Sequence, residues 1–143
     1  MRPSRMRARV SFLFAALIGG CRSTELTAFQ PTADVVNGTW NREDEVPGSG
    51  EQWSLLVQDT LVTGEGGWSL ETCCSGSETI VGHIRDGSLQ LSVTSTRGPG
   101  GIIPSLAGAV THSEYVAALS SPTEMSIASS TEPTTILFRM HKK

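Results

Sequence analysis

Cysteine, histidine and carboxylate side chains are the groups with which a small domain does chemistry, and in this chain they are few and scattered. Cys73 and Cys74 are adjacent. Neighbouring side chains in a strand point to opposite faces, so this pair closes a vicinal disulfide only in a turn; free thiols and an intermolecular link are the other outcomes. No C-x-x-C and no His or carboxylate pattern accompanies them, which argues against dithiol redox work and against a zinc site. Glu43, Asp44 and Glu45 precede Pro47-Gly48-Ser49-Gly50, the composition of a solvated acidic loop. His83 and His141 fall where surface is expected, and His112 with Tyr115 is the polar pair placed to touch a ligand. Trp53 and Trp68 are either core aromatics or the floor and wall of a shallow apolar pocket. G-x-S-x-G, H-E-x-x-H, the P-loop and G-x-G-x-x-G at a strand-to-helix turn are all missing from the sequence. Gly64-Glu65-Gly66-Gly67 is too short to cradle a phosphate. No nucleophile pairs with a base, so the expectation is a non-enzymatic protein with no metal and no cofactor.

The elements that position these residues are strands. From Val35 onward the hydrophobic period is about two, with Gly, Pro, Asp and Ser clusters every 8–12 residues. Asp86-Gly87 suits a type I′ turn, which would set Ile84 opposite Leu89, Gly82 opposite Leu91 and Ile80 opposite Val93. A turn at Asp59-Thr60 would set Val57 opposite Val62, Leu55 opposite Gly64 and Trp53 opposite Gly66, with large side chains lying across glycines. A third hairpin is expected to run from Leu106 to His112, turn at Ser113-Glu114, and return from Tyr115 to Leu119. Val35 to Asn41 and Thr134 to His141 supply a first and a last strand. About eight antiparallel strands joined in sequence order predict an all-β, up-and-down barrel, whose closure removes both sheet edges.

Composition narrows the function classes. The chain has 143 residues, enough for one domain, and its formal charge is −3 from 11 basic and 14 acidic side chains. No Lys occurs before Lys142, so a basic groove for nucleic acid has almost nothing to be built from.

The amino terminus is different in kind. Arg2, Arg5, Arg7 and Arg9 precede the apolar run from Val10 to Ile18, followed by Gly19-Gly20-Cys21. This is the layout of a secretory signal, and nine residues of helix rise only about 14 Å, too little to span a bilayer. Leu17-Ile18-Gly19-Gly20-Cys21 resembles the lipobox of bacterial lipoproteins. The resemblance implies diacylglycerol on the Cys21 sulfur, cleavage before Cys21 and acylation of the new amino group. Residues 1–20 would be the signal peptide, 21–34 the lipidated Cys and a flexible polar tether, and 35–143 the barrel domain. Arg22 in place of Asp leans towards the outer membrane. Removing the signal takes away four of the 11 basic residues and none of the 14 acidic ones, so the mature charge is −7. An anionic membrane would repel such a body, leaving lipid as the anchor.

Gly38-Thr39-Trp40 on the first strand and Arg139 on the last resemble the sparse signature of the calycin group, the lipocalins and avidins. The resemblance implies that Trp40 packs beside Arg139 and closes the barrel floor near Gly38. The functional expectation is an extracytoplasmic lipoprotein that binds a small apolar ligand or serves as an envelope interaction module. The alternative is a structural envelope protein with a filled barrel. Space above Gly64, Gly66, Gly82 and Gly108 would favour a ligand, and glycines covered by Trp and Leu would favour the filled barrel.

Overall fold

The computed structural model describes residues 29–43, 49–71, 73–99 and 104–143. Cys21 and the signal segment lie outside them, as do Asp44 and Glu45 of the acidic run. A short helix, α1 (Ala33–Val36), leads into eight strands: β1 (Gly38–Arg42), β2 (Gly50–Gln58), β3 (Leu61–Leu70), β4 (Cys74–Arg85), β5 (Ser88–Arg97), β6 (Val110–Ser121), β7 (Glu124–Ser129) and β8 (Glu132–Lys142). They form a closed barrel in sequence order, every neighbouring pair antiparallel.

Turn chemistry sets the first registers. Asp86 and Gly87 both have positive φ, 51° and 74°, as a type I′ turn requires. Ile84 then pairs with Leu89, Gly82 with Leu91 and Ile80 with Val93. Asp59, also at positive φ, turns β2 into β3, with Val57 opposite Val62, Leu55 opposite Gly64 and Trp53 opposite Gly66.

The third hairpin is different from the expectation. β6 is one uninterrupted strand through Ser113-Glu114, and the chain turns at Pro122-Thr123 into β7. A polar dipeptide inside a long strand was the misleading signal. The Glu114 carboxylate accepts a hydrogen bond from the Ser92 hydroxyl on the outer face, which satisfies it without a turn. Leu106 lies in a 3₁₀ turn, Pro104–Leu106, and Leu106 and Val110 are exposed while Ala117 and Leu119 are buried. Val35 and Val36 likewise belong to α1, not to the first strand.

The lumen is filled. Trp40, Trp53, Val62, Ile80, Leu89, Met125, Ile127 and Met140 have no accessible surface, in keeping with an eight-stranded barrel just wide enough for its own side chains. A Cβ added to Gly64 would lie 2.7 Å from Leu55 Cδ2, one on Gly66 2.7 Å from Trp53 Cδ1, and one on Gly82 2.8 Å from Leu91 Cδ2. The cross-strand glycines are thus covered by the large side chains opposite them. Gly108 is in a loop, and a Cβ there would meet nothing within 4 Å among the described residues.

One end of the barrel is plugged. The Trp40 indole N–H donates to the Val36 carbonyl at 2.8 Å, and the Lys142 ammonium lies 5.7 Å from the Trp40 ring centre while donating to the Val35 carbonyl at 2.7 Å. Gly38 has φ +132°, and a Cβ there would lie 3.0 Å from Lys142 Cε, so glycine is required both for the bend and for the close approach. The cation over Trp40 is therefore Lys142 and not Arg139. Arg139 pairs with Ser126 and points outward, 4.0 Å from Glu124. Its position in the two-residue alternation, one away from buried Met140, places it on the wrong face.

Candidate functional site

Among the described residues the ionisable groups inside the wall gather at the end opposite α1, called the open end, where β1 ends, β2 begins, β3 ends, and β4 begins. They occupy positions that continue the inward alternation. Arg42 is two residues past Trp40, Glu51 two before Trp53, and Glu78 two before Ile80. Glu78 is buried at 9% exposure, and its Oε2 accepts the Trp53 indole N–H at 2.8 Å. Arg42 Nη1 donates to Glu51 Oε2 at 2.9 Å, and the guanidinium lies 4.4 Å from the Phe138 ring centre. Trp53, Tyr115 and Phe138 form a mutually packed triangle with centroids about 6 Å apart: Trp53 and Tyr115 at 6.2 Å, Trp53 and Phe138 at 6.0 Å, Tyr115 and Phe138 at 5.9 Å.

Burial pushes the Glu78 carboxyl up to about 7, and the neighbouring Glu51 charge adds to the rise. The Trp53 hydrogen bond and the Arg42 charge oppose it but are the smaller effects. Glu78 therefore changes charge near neutral pH, against the edge of the aromatic triangle.

Trp68 closes the rim of the same end. Its indole N–H donates to Ser95 Oγ at 2.7 Å, and its ring lies over Gly76, where a Cβ would come within 2.5 Å of it. Arg97, the cross-strand partner of Gly76, has a buried Nε that finds no hydrogen-bond partner among the described residues. A groove of about 480 Å³ is lined by Asn41, Arg42, Gly50, Glu51, Gln52, Gly67, Trp68, Ser69 and Gly76. Gln52 Nε2 donates to Asn41 Oδ1 at 2.9 Å within it.

Of the residues singled out in the sequence, Trp53 is core and Trp68 is rim. Tyr115 faces inward onto Trp53 and Phe138, but His112, three residues earlier, is on the outer face with Nδ1 3.0 Å from Thr94 Oγ1. The two do not meet, because an odd separation in a strand reverses the side. Cys73 and Cys74 are joined as a vicinal disulfide where the β3–β4 turn enters β4. His141 Nε2 lies 3.0 Å from Glu43 Oε2 at the surface. Arg42, Glu51, Glu78 and Arg97 were missed, although extending the inward alternation of each strand by one or two steps picks them out. Among the described residues no group of three or more His, Cys, Asp or Glu could hold a metal ion. Comparison of the chain with protein-family models, with curated proteins and with solved structures finds no match, so the site is interpreted from its own chemistry.

Proposed function

We propose that the chain is a bacterial lipoprotein, held extracytoplasmically at the membrane by lipid on Cys21, and that its filled barrel is a non-enzymatic interaction module of the cell envelope. The outer membrane is the favoured location. The observation that carries this proposal is the placement of the tether relative to the polar cluster. The Phe29 N–H donates to the Leu119 carbonyl, and the Gln30 side chain lies near Gly87, so the chain enters at the plugged end. Seven residues separate Phe29 from Cys21, a reach of about 25 Å when fully extended. A lipid on Cys21 would hold the plugged end towards the membrane and aim the open end away from it.

Other features support the same proposal. The outer wall carries Glu65, His83, Gln90 and Glu114 in exposed positions, unlike the apolar band of a barrel embedded in lipid. Gly38, Trp40 and a final-strand cation, here Lys142, support a calycin-like closure of the floor. Side chains covering the lumen glycines argue against a small apolar ligand inside the barrel and favour the filled-barrel alternative, with contacts made from outside.

The test is fractionation and intact mass of the wild type and Cys21→Ala. Loss of the acyl mass and a shift to the soluble fraction are expected in the variant, and unchanged mass and fractionation would overturn the anchor. Titration with fatty acids is expected to leave tryptophan fluorescence unchanged; a saturable change would restore the lumen ligand.

A further inference from the structure

Three of the four described arginines lie beside a carboxylate: Arg42 with Glu51, Arg85 with Asp86 and Arg139 with Glu124. Arg97 is the exception: among the described residues no carboxylate forms an ion pair with it, and its buried Nε has no acceptor. Its backbone is tied on both sides. The Arg97 N–H donates to the Ala109 carbonyl, the Arg97 carbonyl accepts the Gly108 N–H, and the Gly98 N–H donates to the Ser75 carbonyl. Arg97 continues the inner row of β5 that begins with buried Leu89, Leu91 and Val93, so its half-buried side chain belongs to the inside of the open end, not to the outer wall. The same inner surface offers hydroxyls to donate. Ser95 Oγ accepts the Trp68 indole N–H, which leaves the hydroxyl proton free to donate, and Thr111 opposite Ser95 adds a second hydroxyl. The Trp68 ring, on the same cross-strand row as Arg97 through Gly76, supplies an apolar wall.

We propose that the inner surface of the open end, from β3 to β6, binds a small monocarboxylate, with Arg97 as its anion contact. A half-buried guanidinium without a counter-charge is costly, and a bound anion offsets that cost. The planar fork of the guanidinium takes both oxygens of a carboxylate at once. Elsewhere at this end Arg42 and Glu51 cancel each other, and Glu78, opposite Ser95, is mostly neutral below about 7. Arg97 is thereby left as one positive charge, which a monoanion neutralises. A second negative charge on the ligand would face Glu51 and Glu78, so a dianion such as sulfate is disfavoured. Trp53, Tyr115 and Phe138 pack together beneath, so the body of the ligand is short and a long acyl chain has no room. The site deepens the open-end interaction surface proposed above and rests on that reading. It does not depend on the lipid anchor, and carboxylate binding by the purified protein is scored apart from fractionation.

The test titrates the full-length protein at about pH 6, where Glu78 is mostly protonated, with sodium acetate, propionate, lactate and benzoate to about 50 mM, a range suited to millimolar affinity. Sodium chloride and sodium sulfate at equal ionic strength are the controls. The arginine Nε–Hε signals in proton–nitrogen correlation spectra are the first readout, with Arg97→Lys assigning the Arg97 signal. At least one carboxylate is expected to shift that signal saturably while the Arg85 signal stays in place. The second readout is the urea midpoint, which the same carboxylate is expected to raise in the wild type by binding the folded state. Arg97→Gln is expected to abolish that response while leaving the midpoint without carboxylate unchanged or raised, an outcome that a purely structural arginine would not give. Arg97→Lys keeps the charge but not the fork, and should need about tenfold more carboxylate for the same response. Arg85→Gln, on the outer wall, should respond as the wild type does. No saturable shift with any of the four carboxylates overturns the site, as does an equal shift of the Arg97 signal by sulfate, or a wild-type response in either Arg97 variant.

Discussion

The two ends of the barrel solve the same problem by opposite means. At the plugged end a helix turn, an indole and one lysine stem cover the core, and the charge is satisfied by a backbone carbonyl and a ring face. At the open end two carboxylates and an arginine enter the wall beside three aromatic rings, and one of the acids is held near neutrality. Burying an ionisable group is costly unless it is paired. The plugged end avoids that cost, while the open end carries it in Glu78. The difference separates a part of the molecule that closes the fold from a part that responds to its surroundings.

Substitutions can break that contrast, and the largest effect is expected in the shared core. Trp53→Ala removes a fully buried ring and leaves Glu78 without its donor, and should cost about 3–5 kcal/mol in urea unfolding. Trp40→Ala should cost a similar amount. Glu78 gives the open end a pH dependence of definite sign. Its carboxyl is raised in the folded state, so the stability associated with its neutral form is fully present below pH 4.5 and is lost as pH rises through about 7. The wild-type urea midpoint should be higher at pH 5 than at pH 8, and Glu78→Gln should flatten the difference; an unchanged slope in that variant would remove Glu78 from the explanation. Lys142→Met should cost about 1–2 kcal/mol through the lost carbonyl bond and ring contact. Arg139→Ala, on the outer face, should fall within about 0.5 kcal/mol.

The sequence was most legible where burial and turn chemistry agreed. Asp86-Gly87 and Asp59-Thr60 specify turns, and the alternation on either side leaves one register that buries Leu55, Val57, Val62, Ile80, Leu89, Leu91 and Val93 together. Legibility failed towards the open end for a physical reason. There the inward positions cease to be apolar, so Arg42, Glu51, Glu78, Ser95, Arg97 and Ser113 look like loop or outer-face residues although they continue the inner row. Ser113-Glu114 resembled a turn for the same reason. Arg139 and Lys142 are three residues apart and therefore on opposite faces; choosing between them required the phase of β8, which the buried Met140 fixes.

The first and last strands are partners. Trp40 pairs with Lys142, Asn41 with His141 and Arg42 with Met140, and the Lys143 N–H donates to the Thr39 carbonyl. The closing seam therefore joins positions separated by almost the whole domain, and loop closure of that span is slow. A chain delivered from its amino terminus, whether by synthesis or by transport, has an open sheet with two bare edges until β8 is released. Such edges recruit other strands, so the barrel is most vulnerable to aggregation in the interval before β8 pairs with β1.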